Sequence, residues 1–313
     1  MLPFIQRHWF LSLLAAVLAI GLWQGPSLAG EVEQLPRGWL VAGVMFLTAL
    51  PMAFRQLTSV VRSGKTVGLA LLINMAVAPP VAWLLGRVVP DSLAIGLLIA
   101  ASVPCTLASA AVWTRRGGGN DAIALAVTFV TNLSCFAVLP FWLWLFLRTH
   151  VERDPWELSM RLMLLVVAPV VFAQLLRLVP TIASASTKRK IHLSLAAQFG
   201  ILAMVFMGAV SAGDALGKIN SSAVGANDWM LMMGAVLALH LLLFALGWWA
   251  SATIRADRPD QLAVAISGSQ KTLMIGLDVA IGFGGLAVLP MVAYHVVQLV
   301  VDTLLVDRLR IKS

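Results

Sequence analysis

Six consecutive residues, Gly268-Ser269-Gln270-Lys271-Thr272-Leu273, put a primary amine inside an apolar segment near the C-terminal end. A charged side chain at a bilayer centre costs roughly 2.5–3.5 kcal/mol on insertion scales, so Lys271 reads as a functional position. Gly268 and Gly276 bracket the stretch, and Gly268 is the expected helix break. An unwound turn there would present free carbonyls and two half-helix ends, one attractive to anions and the other to cations. A second interruption is expected at Ser102-Val103-Pro104-Cys105-Thr106, where Pro104 lacks an N–H and obstructs the preceding turn. The hydroxyls of Thr106 and Ser109 can serve the freed carbonyls or a ligand.

Other polar side chains lie deep in apolar segments. Asn74 precedes Pro79-Pro80, and its amide either contacts a ligand or caps a kink. Thr128, Thr131 and Asn132 share one helix side by spacing, where small polar residues also act as ordinary helix–helix glue. His295 and Gln298 lie three residues apart, and His240 stands alone. Asp278 follows Lys271 by about 10 Å of helical rise, too far for pairing along an unbroken helix. Asp302 is either the lysine's partner or a residue close to the interface.

Enzymatic signatures are missing: there is no HExxH, GxSxG, Walker A loop or CxxC. Gly117-Gly118-Gly119 is a turn without a following Lys-Ser/Thr. The two cysteines, Cys105 and Cys135, fall in apolar segments and read as small core residues. No organic cofactor is expected. Na⁺ or H⁺ remains open as a coupling ion.

The elements that must position these groups are membrane helices. Hydrophobic residues make up 60% of the 313 positions and charged residues 12%, against about 25% charged in a soluble domain. Apolar runs of spanning length recur at about 9–27, 38–54, 67–88, 93–114, 122–147, 158–179, 191–212, 228–252, 261–281 and 286–305, a total of ten. Period-2 alternation is absent, which argues against a barrel. Lys and Arg number fifteen on one side, among them Arg7, Arg55, Arg62, Arg310 and Lys312, against six on the other, including Arg148 and Arg153. The positive-inside rule then puts both termini in the cytoplasm, in a plasma or inner membrane. The same rule accounts for the net charge of +8, so nucleic acid is not an expected partner. A rival reading takes Arg7, the first apolar run and Ser27-Leu28-Ala29 as a cleavable secretory signal.

Ten spans divide into two halves of five, about 1–150 and 151–313, within one transmembrane domain. An odd number per half inverts one half against the other, the plan of many secondary transporters. The two expected breaks fall in the fourth element of each half.

At these residues the chain resembles the bile acid:sodium symporter family over essentially all ten spans. Pro104-Cys105-Thr106-Leu107-Ala108-Ser109 is similar to the family's Pro-Gly-Gly-Thr-Ala-Ser-Asn signature. Gly119-Asn120-Asp121 through Ala126-Val127-Thr128, and Asn74 with Pro79 and Trp83, resemble flanking family patterns. Gly268-Ser269-Gln270-Lys271-Thr272-Leu273 and Leu289-Pro290…Tyr294-His295…Gln298-Leu299 resemble a divergent branch. That branch includes the orphan seventh member of the animal bile acid transporter group and its bacterial relatives. The resemblance implies core and panel domains, with the fourth and ninth helices broken and crossing. It also implies sodium-site positions at Ser109, Thr128, Asn74, Ser267, Ser269 and Gln270, with Na⁺ itself at Ser109, Thr128, Ser267 and Gln270. Departures are Ala110, Ala124 and Ile266, the last where the family carries its acidic residue. The implied function is a secondary transporter of an organic anion with weak or absent sodium coupling, Lys271 standing in for one ion. Conventional sodium coupling and a membrane regulatory protein without net transport are the alternatives.

Overall fold

The structure, a computed structural model, describes residues 9–52, 64–107, 109–147, 154–218 and 224–309. Arg7, Arg55, Arg62, Ala108, Arg148, Arg153, Arg310 and Lys312 lie outside the described residues. Every regular element among those described is helical.

Helices α1 (Trp9–Glu33) and α2 (Arg37–Ala49) are followed by α3 (Gly64–Leu72), a π turn over Ile73–Val77 and α4 (Ala78–Leu85). Next come α5 (Asp91–Ser102), α6 (Ser109–Arg116) and α7 (Asp121–Leu147). Helix α8 (Pro155–Leu162) passes through a second π turn, Met163–Val167, into α9 (Ala168–Leu176). Short α10 (Pro180–Lys188) leads to α11 (Lys190–Lys218) and α12 (Ala226–Thr253). The chain ends with α13 (Arg258–Ser269), α14 (Leu273–Phe283) and α15 (Val288–Leu309).

Seven helical stretches among the described residues are long and apolar enough to cross a membrane. The protein is therefore read as an integral, polytopic membrane protein. The expected spans 38–54, 93–114 and 261–281 form shorter or interrupted helices instead: α2 has 13 residues, and the other two are split into α5/α6 and α13/α14. Apolar side chains such as Leu72, Phe172 and Leu242 point outward, as a lipid-facing surface requires. Trp39, Trp156 and Trp249, expected as interfacial anchors, are more than two thirds exposed.

Both π turns precede proline. Pro79 and Pro80 cannot donate to the preceding turn, and the Ala78 N–H reaches back five residues to Ile73 O. The carbonyls of Asn74 and Met75 are thereby left to outside donors. Trp142 Nε1 takes Met75 O at 2.7 Å.

Helix α1 continues unbroken through Ser27-Leu28-Ala29 and packs along α11. The approach needs glycine: a Cβ on Gly25 would lie 2.6 Å from Gly213 Cα. The π turn over Ile73–Val77 and helices α5, α6, α7, α12, α13 and α15 supply the buried polar centre.

Candidate functional site

Two helix interruptions touch each other. The first opens where α5 stops at Ser102, and Pro104 lies inside it as expected. The second falls at Gln270–Thr272, beyond Gly268, which sits in the last turn of α13. Gly268 is thus not the break. Its lack of a side chain serves packing, because a Cβ there would approach Ile73 Cγ2 to 3.2 Å. The two interruptions are joined directly by Thr272 N–H donating to Pro104 O at 2.9 Å.

Broken backbone inside a membrane protein must find partners for each exposed amide and carbonyl. Here they come from flanking helices. In the first interruption Cys105 N–H donates to Thr131 Oγ1 at 3.2 Å, and Cys105 O accepts from Asn132 Nδ2 at 2.8 Å. Thr128 Oγ1 donates to Thr106 O at 3.3 Å. In the second, Asn74 Nδ2 spans the carbonyls of Ser267, Gly268 and Gln270 at 3.0, 3.3 and 3.1 Å. Tyr294 Oη donates to Ser269 O at 2.7 Å. Gln298 reads Lys271 like a base pair: its Oε1 accepts Lys271 N–H at 2.9 Å and its Nε2 donates to Lys271 O at 3.0 Å. Gln298 Nε2 also donates to His295 Nδ1 at 3.0 Å. Thr131, Asn132, Gln298 and Asn74 therefore act as braces.

Lys271 is completely buried. Its Nζ donates to Asn74 O at 2.5 Å, Asn74 Oδ1 at 3.1 Å and Val103 O at 3.2 Å. Two of these oxygens are free because of local backbone chemistry: the π turn before Pro79 releases Asn74 O, and the interruption at Pro104 releases Val103 O. The ammonium thus occupies an oxygen cage at the junction of both interruptions. Among the described residues it pairs with no carboxylate. Asp278, weighed as its partner, is bound bidentately by Arg161 from α8 at 2.7 and 3.1 Å.

Asp302 is also fully buried. Its Oδ1 accepts from His240 Nε2 at 2.9 Å and its Oδ2 from Gln270 Nε2 at 2.5 Å. Gln270 Oε1 in turn accepts from Ser109 Oγ at 2.9 Å, and Ser109 lies 2.6 Å from Thr106 Oγ1. The family's acidic position is Ile266 here, and Asp302 brings a carboxylate to the cluster from a different helix. The apolar character of α13 at that point leaves Ile266 wholly in the core. Lys271 and Asp302 are opposite charges on either side of Gln270 without direct contact.

Of the oxygens expected to hold sodium, Ser109, Thr128 and Gln270 belong to this cluster. Ser267 does not contribute its hydroxyl, which returns to Ala263 O on its own helix at 2.6 Å. Ser269 behaves the same way toward Ala265 O at 2.8 Å. Buried serines without an outside acceptor within reach satisfy themselves one turn back. Two buried polar atoms, Asn132 Oδ1 and His240 Nδ1, have no partner among the described residues. Both cysteines are buried free thiols.

Sequence reasoning missed the Arg161–Asp278 and His240–Asp302 pairs, and Trp142 as a carbonyl donor. Pro79-Pro80 carried a usable signal for the last, since two adjacent prolines leave carbonyls needing donors from elsewhere.

The sequence model of the SBF-like CPA transporter family matches residues 8–311. A protein of Arabidopsis thaliana named "Probable sodium/metabolite cotransporter BASS4, chloroplastic" is 27% identical over 302 residues, covering 85% of this chain. This chain spans 64% of that relative's length. A Bacillus subtilis protein, "Uncharacterized sodium-dependent transporter YocS", is 24% identical over 257 residues, 81% of this chain and 76% of its own.

Proposed function

The chain belongs to the SBF-like CPA transporter family, and on that premise we propose that it is a secondary transporter of a small organic anion in which Lys271 replaces a coupling cation. Its cycle then depends weakly or not at all on Na⁺. One observation carries the reading: a fully buried ammonium held by three oxygens where two broken helices meet. Oxygen-rich cages of this kind otherwise suit hard cations. Lysine meets the demand with a charge that cannot dissociate from the chain. We assign the halves 1–150 and 151–313 to inverted five-helix repeats with core and panel domains, and both termini to the cytoplasm. The matched interruptions after Ser102 and Ser269 support the repeat.

The second reading, conventional sodium coupling, is favoured by Asp302, which brings a carboxylate to Gln270 beside Ser109. Both relatives carry sodium in their names. Reconstituted protein in proteoliposomes separates the two. Anions are first found by thermal shift, since ligands stabilise the state they bind. Uptake of a hit is then measured with Na⁺ or choline outside, at fixed pH and potential. Equal uptake in both salts supports the lysine reading, and steep dependence on Na⁺ defeats it. Binding without uptake in either salt would point to a regulatory protein instead.

A further inference from the structure

A cavity of about 430 Å³ opens between α4, the start of α5 and the end of α7, away from the junction. Its size falls within the range of small-molecule sites. Four of its lining residues, Asp91, Ala94, Ile95 and Leu98, lie on one face of α5 by their i, i+3, i+4, i+7 spacing. The wall opposite is aromatic, formed by Trp83 and Phe146. The floor at Leu98 is 2% exposed.

Arg87 stands at this cavity with its guanidinium 4.0 Å from the Trp83 ring centroid. Trp83 stacks on Phe146 at 5.0 Å, and Phe146 on Trp142 at 5.4 Å. Trp142 is itself pinned by its bond to Met75 O at 2.7 Å. The ladder starts at the carbonyl next to Asn74, whose own carbonyl holds Lys271, and ends at Arg87. A guanidinium placed over an indole ring can still direct N–H groups to another partner. Arg87 makes no hydrogen bond or ion pair among the described residues. Asp91 also lines the cavity and does not pair with it.

We propose that this cavity is a binding site for an amphipathic monoanion, its head on Arg87 and its apolar body between Ile95, Leu98 and the Trp83–Phe146 stack. A carboxylate, sulfonate or phosphodiester head matches the planar donor fork. Asp91 selects against a second negative charge. The site is separate from the Lys271 cage, and its occupancy does not depend on whether the chain moves cargo.

The test is calorimetric titration of naphthalene-2-sulfonate into the full chain in phosphatidylcholine nanodiscs. Saturable binding is expected. Arg87→Gln should weaken it by about 10-fold, the loss expected for one charge-assisted hydrogen bond. Asp91→Asn should tighten it, because a like charge is removed. Arg87 and Asp91 are exposed, so both variants should fold, and unchanged melting temperatures would verify this. Ile95→Trp, which fills the cavity, should abolish binding. A second set of discs doped with phosphatidylglycerol identifies the source of the head group. Competition in the wild type but not in Arg87→Gln makes it a lipid phosphate, and no competition makes it a soluble anion. The proposal is overturned by equal affinity of wild type and Arg87→Gln, by weaker binding to Asp91→Asn, or by no binding to the wild type.

Discussion

Replacing Lys271 by alanine should convert a sodium-indifferent protein into one stabilised by sodium. The substitution removes the donor from Asn74 O, Asn74 Oδ1 and Val103 O. A buried acceptor left without a partner costs about 1–3 kcal/mol. Three of them amount to about 3 kcal/mol at the low end, which is appropriate because the costly burial of the ammonium also disappears. The variant should therefore be less stable by about 3 kcal/mol in choline chloride. By the scaling of globular domains that is a fall in Tm of roughly 6–12 °C. The same oxygens now surround a space where the lysine chain was. If they form a cation cage, Na⁺ at about 100-fold above its Kd returns about 2.7 kcal/mol. The assay is thermal unfolding of purified wild type and Lys271→Ala in matched NaCl and choline chloride. Wild type should melt at one temperature in both salts, and the variant should recover most of its loss in NaCl. A wild type that rises with Na⁺ beside a variant that does not would refute the replacement argument, because the ammonium would then not occupy the ion's place.

Three further outcomes follow from the packing. Asp302→Asn should cost about 3–5 kcal/mol by leaving His240 and Gln270 without their acceptor charge. Combined with Lys271→Met it should cost less than the sum of the single variants by about 1 kcal/mol or more in a double-mutant cycle, and strict additivity would mean the two charges are independent. Trp142→Phe keeps the stack but strands Met75 O, so denaturation should show a loss of about 1–3 kcal/mol, and a neutral result would mean the carbonyl finds water. Gly96→Ala should be destabilising by about 1–3 kcal/mol, since its Cβ would run into the backbone of Ala287, whereas Gly43→Ala, with open space around it, should gain about 0.5–1 kcal/mol. Equal effects at the two glycines would contradict the close approach of α5 to the turn before α15.

Some of this was fixed by the residues alone. A chain that is 60% hydrophobic and 12% charged cannot make a soluble core, and its apolar runs mark out membrane helices by length. Pro104 breaks its helix wherever it is placed, because the missing N–H and the ring clash are local. Lys271 declared a site for the same kind of reason: the cost of burying an amine is set by its solvation. Thr131, Asn132, Asn74 and Gln298 were also legible as buried polar residues, yet their partners were not. Which carbonyl an amide reaches depends on how distant helices approach, and sequence spacing says nothing of that. So the break moved from Gly268 to Gln270–Thr272, since Asn74 holds the carbonyls before it and Gln298 those within it. Asp278 went to Arg161, more than a hundred positions away in the chain, and Asp302 came to His240 and Gln270. Charges and hydroxyls announce their needs in the sequence. The tertiary structure alone decides who meets them, because each need is satisfied by contacts of a few ångströms between segments that the chain order keeps far apart.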